Sequence, residues 1–193
     1  MQNANKTRGT GPLGGAGMVG MWGASGLIEA LQYGTIALSG AQATNTATIT
    51  SVDLSRSILI DLRQSNNWSG GTQPAYTSNT LALTNSTTVT ASRQAAGGLT
   101  LTAAFCVVTF TPGVVRSIQS GVVASAGSPT VSITSVNTAK TLLLSLGLEG
   151  DSGGRDDYFY GYWQLTNSTT LTLQRGASGG ASMKAGWLAL EFF

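Results

Sequence analysis

The chain has 193 residues, no histidine and one cysteine, and its ten basic and eight acidic side chains leave a net charge of +2. These absences exclude a Ser-His-Asp or Cys-His dyad, a His-ligated metal, an intrachain disulfide and a thiolate zinc cluster. Charged residues make up 9% of the chain, too few for the Lys/Arg clusters that bind nucleic acid, and 41% apolar residues argue against disorder.

In chain order, residues 1–30 form a Gly-rich leader. Between Gly9 and Gly26, glycine alternates with Leu13, Met18, Val19, Met21 and Trp22. Lys6 and Arg8 ahead of this stretch imitate a signal peptide, but Gly14, Gly15, Gly17 and Gly20 spoil its helix. Synthesis in the cytoplasm without export is therefore expected. The favoured reading is an extended arm that lays these five apolar side chains into a neighbouring subunit. Burial of about 1.5–3 kcal/mol per large side chain would offset the entropy of ordering it; a disordered tail is the alternative. A short helix over residues 25–31, capped by Ser25 and holding Glu29, is predicted next. No apolar run approaches the ~20 residues of a membrane-spanning helix.

The remainder is an internal duplication. Residues 83–110 match residues 165–192 without a gap, with 13 of 28 columns identical, among them Arg93/Arg175, Gly97-Gly98/Gly179-Gly180 and Phe110/Phe192. Upstream, Ile49-Thr50-Ser51-Val52-Asp53 recurs as Ile133-Thr134-Ser135-Val136-Asn137, Arg56 matches Lys140, and Gln32-Tyr33-Gly34 pairs with Gln119-Ser120-Gly121. Residues 31–111 are read as a first module and 114–193 as a second, with Thr111-Pro112-Gly113 as the hinge. Strands are predicted at 46–52 and 130–136, at 57–62 and 141–146, at 87–91 and 169–173, and at 99–110 and 181–192. The second pair are apolar runs typical of a central strand buried on both faces. In the last strand Met183, Ala185, Trp187 and Ala189 take one face, and Leu188, Leu190 and Phe192 the other. It should lie in the interior or at a subunit interface. The fold expected is all-β: two tandem homologous antiparallel modules of sandwich or jelly-roll type, behind an extended Gly-rich arm.

The copies diverge in the loop after the apolar strand. Copy one carries Asn66, Asn67, Trp68 and Tyr76. Copy two carries Glu149, Asp151, Asp156 and Asp157, followed by Tyr158, Phe159, Tyr160, Tyr162 and Trp163. Clustered carboxylates could hold calcium, although no EF-hand spacing is present and Arg155 partly neutralises them; a solvated loop is the simpler reading. The aromatics beside Asp156 and Asp157, like Trp68 and Tyr76, could stack sugars or contact a partner, but packing or a subunit interface takes precedence. No carboxylate pair stands out as a glycosidase dyad, and Cys106, where copy two has Leu188, reads as apolar filler. No enzyme activity, cofactor or metal is expected. Asn67, Asn85 and Asn167 each open an N-glycosylation pattern; the latter two lie inside the repeat and look structural.

The run of Gly-Thr-Ile, a Thr-rich strand, Ile-Thr-Ser-Val-Asp/Asn, a basic residue (Arg56, Lys140) and a Leu/Ile-rich strand resembles the small β-modules of tailed-bacteriophage virion proteins. The resemblance covers about 31–193 and implies a setting: a structural virion component, assembled in the host cytoplasm, of the tail, its fibre or its adsorption apparatus. A head-decoration protein and a carbohydrate-binding adhesin are the alternatives. The partners implied are copies of the chain itself, a trimer being favoured because three chains would present six similar modules. Other virion proteins, reached through the arm, and a host glycan complete the implied set; no nucleic acid or membrane span is implied.

Overall fold

A computed structural model describes residues 26–67, 78–125, 127–150, 161–175 and 183–193. They form an antiparallel all-β fold. In chain order the strands are β1 (Ile28–Leu38), β2 (Thr44–Thr48), β3 (Ser57–Asn66), β4 (Thr80–Asn85), β5 (Thr88–Ser92), β6 (Leu101–Phe110), β7 (Val115–Ser125), β8 (Thr130–Ser132), β9 (Thr141–Gly150), β10 (Gly161–Asn167), β11 (Thr170–Arg175) and β12 (Met183–Phe192). One 3-10 turn, Thr138–Lys140, precedes β9.

The strands make two three-stranded sheets, ordered β1-β6-β3 and β10-β11-β8, and one six-stranded sheet ordered β2-β5-β4-β9-β12-β7. The pairings recur along the chain. β6 lies between β1 and β3 as β12 lies between β7 and β9, and β5 lies between β2 and β4 as β11 lies between β8 and β10. Register matches as well: Leu83 faces Val89 and Asn85 faces Thr88, while Leu165 faces Leu171 and Asn167 faces Thr170.

Side chains that recur in the sequence make the same bonds twice. Gln32 clamps the backbone of Thr50, donating to its carbonyl at 3.0 Å and accepting its N–H at 2.7 Å. Gln119 clamps Thr134 at the same two distances. The Asn85 side chain accepts the N–H and hydroxyl of Thr87, and Asn167 those of Thr169. These asparagines are turn caps. Gly34 lies under the Phe105 ring, where a Cβ would sit 2.5 Å from Cζ; Gly121 lies under Trp187, at 3.1 Å from Cζ2. An aromatic over a bare glycine on the adjacent strand fills the space the missing side chain leaves.

The main core lies between β1-β6-β3 and the six-stranded sheet. It holds Ile36, Leu38, Leu81, Val89, Leu101 and Phe105 from the first half, and it also takes Leu146, Leu188 and Leu190 from the second. On the opposite face of β12, Trp187 and Ala189 pack with Ile133 and Leu171, and Met183 and Ala185 pack with Leu173. The two apolar faces predicted for this strand therefore serve two cores, and β12 is interior.

Two expectations are corrected. Residues 28–31 belong to β1, where a helix over 25–31 was predicted. The backbone of this run is satisfied by β6, with Leu31 opposite Val108 and Tyr33 opposite Cys106, and Glu29 reaches Arg56. Residues 57–62 are not a central strand: β3 is the edge of its sheet. Its first residues are buried on both faces because β9 packs beside them, whereas Leu62 is exposed.

Candidate functional site

Most residues singled out in the sequence lie outside the described residues: Leu13, Met18, Val19, Met21 and Trp22 of the leader, and Trp68, Tyr76, Asp156, Asp157, Tyr158 and Tyr160 of the loops. Tyr162 and Trp163 fall on β10 and point to opposite sides. Tyr162 is exposed. Trp163 packs against both second-half cores, and its indole N–H donates to the Gly186 carbonyl at 3.0 Å.

Glu149 is the last-but-one residue of β9 and is fully buried. It accepts hydrogen bonds from the hydroxyls of Thr80 and Ser92, the latter at 2.6 Å, and pairs with Lys184 at 3.2 Å. Thr80 and Ser92 come from the first half, Glu149 and Lys184 from the second. The carboxylate thus joins the halves at the seam where Thr80 on β4 pairs with Gly147 on β9. Asn79 is buried beside it, with its side-chain amide unpartnered. An unmade buried hydrogen bond costs about 1–3 kcal/mol, so the seam is held by Glu149 against this cost. Among the described residues no group of three His, Cys, Asp or Glu could hold a metal.

A second polar cluster lines a cleft of about 310 Å³ at the start of β1. Arg56 bonds Glu29, Asp53 (3.0 Å) and the Phe110 carbonyl (2.6 Å). The Ser55 hydroxyl, then its N–H and Arg56, hold the Asp53 carboxyl below the usual carboxylate range. Glu29 pushes the Arg56 guanidinium further up. The two carboxylates share one guanidinium, and the cluster fastens the turn between β2 and β3. In the second half the equivalent turn is fastened differently. Glu191, buried, accepts the Asn137 N–H at 2.8 Å and the Ser117 hydroxyl at 3.1 Å, with Arg116 at 3.7 Å.

Buried arginine is the third polar element. Arg93 donates to the carbonyls of Gln42 (2.8 Å), Leu99 (2.8 Å) and Ser39 (2.5 Å), tying three loop segments together. Burial lowers its pKa. Cys106 is also buried, and burial pushes its thiol up, the opposite of what a nucleophile needs.

The surface feature that stands out is apolar. The face of β1-β6-β3 that carries Leu31 and Tyr33 on β1 also carries Ile58 on β3 and Cys106 and Val108 on β6, which are buried and belong to the main core. Leu31, Tyr33 and Leu62 are large and exposed at its margins. Sequence reasoning missed this face because residues 28–31 were assigned to a helix; the alternation of Leu31 and Tyr33 was the available signal. Among the described residues no helix is long and apolar enough to cross a membrane. No protein family, curated protein or solved structure matches the chain.

Proposed function

We propose that the chain is a structural component of a phage virion, in the tail, fibre or adsorption apparatus, whose work is to pack with copies of itself and with neighbouring virion proteins. The observation that carries the assembly part is the exposure of large apolar side chains on β1-β6-β3: Leu31 and Tyr33 on β1 and Leu62 on β3. Leu31 and Tyr33 neighbour each other on one face of β1, and exposed apolar side chains that cluster mark interaction sites. The polar clusters support the same reading, since Arg56, Arg93 and Glu149 are each spent on holding backbone or seam together. The virion setting rests on the resemblance of the repeat to tailed-phage β-modules, and the trimer on the doubling of similar units in one chain.

Purification of phage particles from cells carrying the gene, followed by mass spectrometry, tests the reading. The chain is expected in the particle at many copies, comparable with its other structural proteins. Its absence from intact particles would overturn the virion assignment.

A further inference from the structure

The equivalent strands β1 and β7 both lie at the border of a sheet, but their outer edges are finished differently. Each carries a row of backbone N–H and C=O groups with no strand paired to it among the described residues. Such a row is a template for a further strand. Near the end of β1 the Asn45 amide donates to the Ala37 carbonyl at 2.7 Å. In the second half Pro129 takes the place of Asn45: its carbonyl accepts the Leu173 N–H, as Asn45 pairs with Ala91. Proline has no side-chain amide, so the β7 edge lacks this cap. Val122 on β7 is 48% exposed, and Ser120 and Ala124 on either side of it are exposed too.

A cleft of about 170 Å³ opens beside the same strand. Ile118 and Ser120 of β7 line it, with Leu59 of β3, Leu83 of β4, Leu188 of β12 and the exposed Leu54. Protein interiors leave few voids larger than a water molecule, so an apolar cleft of this size asks for an occupant. The chain ahead of Gly26, which lies outside the described residues, ends next to it. The Thr111 hydroxyl donates to the Gly26 carbonyl at 2.9 Å, and the Val114 N–H donates to the Thr111 carbonyl at 3.3 Å. The Phe110 N–H donates to the Arg56 carbonyl at 2.9 Å. Gly26 is thereby fixed between the start of β7 and residues 54–57 at the cleft.

We infer that residues 16–25 of the same chain occupy this place, running antiparallel to β7 as a seventh strand of the six-stranded sheet, with Trp22 filling the cleft. The direction follows from the ends, since the segment arrives where β7 departs. The register follows from spacing. Four extended residues span about 13 Å, so Trp22, four before Gly26, comes level with Ile118, four after Val114. Directly opposed residues of an antiparallel pair share a face, which sends Trp22 to the side of Ile118 and Ser120. Four residues further, on the same face, Met18 lies over the exposed Val122. The segment is tethered at Gly26, and a short tether raises local concentration into the millimolar range, so it outcompetes a neighbour's leader. The contact forms within one chain and does not rest on the assembly reading.

The test is cross-linking of the full-length chain by a short bis-maleimide in a Cys106→Ala background. One variant carries Met18→Cys with Val122→Cys. The other carries Met18→Cys with Thr35→Cys, Thr35 being the counterpart of Val122 on β1. A cross-link within one chain is expected in the first, and about ten-fold less of it in the second. Hydrogen exchange of dilute protein reads the contact without cysteines: Trp22→Asp is expected to speed exchange of the Ile118 to Val122 amides at least ten-fold and to leave β11 unchanged. Equal cross-linking of the two pairs, or none in either, would overturn strand addition at β7. Cross-linked dimer in place of cross-linked monomer would overturn the own-chain contact and assign the edge to a neighbour's leader. Unchanged exchange in Trp22→Asp would remove Trp22 from the cleft.

Discussion

The two halves build the same turn with opposite chemistry. In the first half a cation, Arg56, gathers Glu29, Asp53 and the Phe110 carbonyl; in the second an anion, Glu191, gathers Asn137, Ser117 and Arg116. The backbone course is alike in both: Arg56 N–H donates to the Asp53 carbonyl at 3.2 Å and Lys140 N–H to the Asn137 carbonyl at 2.9 Å. The difference teaches that the repeated scaffold fixes where a turn needs a hydrogen-bonding hub, and leaves its sign free. Backbone N–H and C=O groups must be satisfied somewhere, and either a donor or an acceptor hub can satisfy one of the two.

The largest expected departure between the halves lies at the strand bulge. Gly147 has φ +97 and no room for a Cβ beside Asn79; its counterpart Arg63 has φ +83 and is exposed. Gly147→Val is expected to cost several kcal/mol or prevent folding, because a backbone clash adds to the ~1–2 kcal/mol penalty of a left-handed L-residue. Arg63→Gly is expected to be neutral or stabilising by up to ~1 kcal/mol. Denaturant midpoints of the two variants measure the contrast, and equal effects would break it.

Removing the seam lock is next. Glu149→Ala strands two hydroxyls and Lys184, and is expected to destabilise by roughly 3 kcal/mol, the low end for breaking a buried pair because Lys184 is partly exposed. Glycine under the aromatic follows. Gly34→Ala meets the Phe105 ring at 2.5 Å and is expected to cost about 1–3 kcal/mol by overpacking, whereas Gly121→Ala at 3.1 Å from Trp187 should cost less. Thermal unfolding ranks the two, and a reversed order would mean that the Trp187 ring is the more tightly held.

The smallest effect is acid sensitivity. The Asn137 N–H, then the Ser117 hydroxyl and the Arg116 charge, hold the Glu191 carboxyl below its ordinary value. Its stabilisation is complete above the unfolded carboxylate pKa and is lost as pH falls through the lower folded value. Burial raises the Asp61 carboxyl instead, so Asp61 works against the fold at neutral pH and stops doing so as it protonates. Glu191→Gln should flatten the acid limb of stability, measured as urea midpoint against pH. Asp61→Asn should raise the neutral midpoint relative to the acid one.

Much of the fold is legible in the residues themselves. Thr-rich alternation marked β5 and β11, and the double apolar face of residues 183–192 pointed to a strand in the interior or at a subunit interface, of which the interior is found. Asn85 and Asn167, which looked structural inside their N-glycosylation patterns, are turn caps. What escaped was whatever depends on which edges meet. Glu149 looked like the first carboxylate of a solvated loop, yet it is buried by Thr80 and Ser92 from the other half. Local sequence cannot express a contact of that kind, though two signals stood nearby: a glycine at 147 inside an apolar run, and a carboxylate where the first half has Ser65. β1 escaped because Ser25 and Glu29 imitate a helix start, while its ladder with β6 is long-range. The glycan and calcium readings of the divergent loops turn on residues outside those described; the described Trp163 has its polar atom bonded internally.

Hydrogen exchange on the intact chain at low and high concentration tests the central claim most directly, because it reads the seam and the exposed side of β1 in one sample. Amides of Leu81 to Leu83 are expected to be protected at every concentration, and those of Leu31 to Tyr33 to gain protection as the chain is concentrated. Protection of β1 that stays constant from dilute to concentrated protein would contradict assembly through this surface.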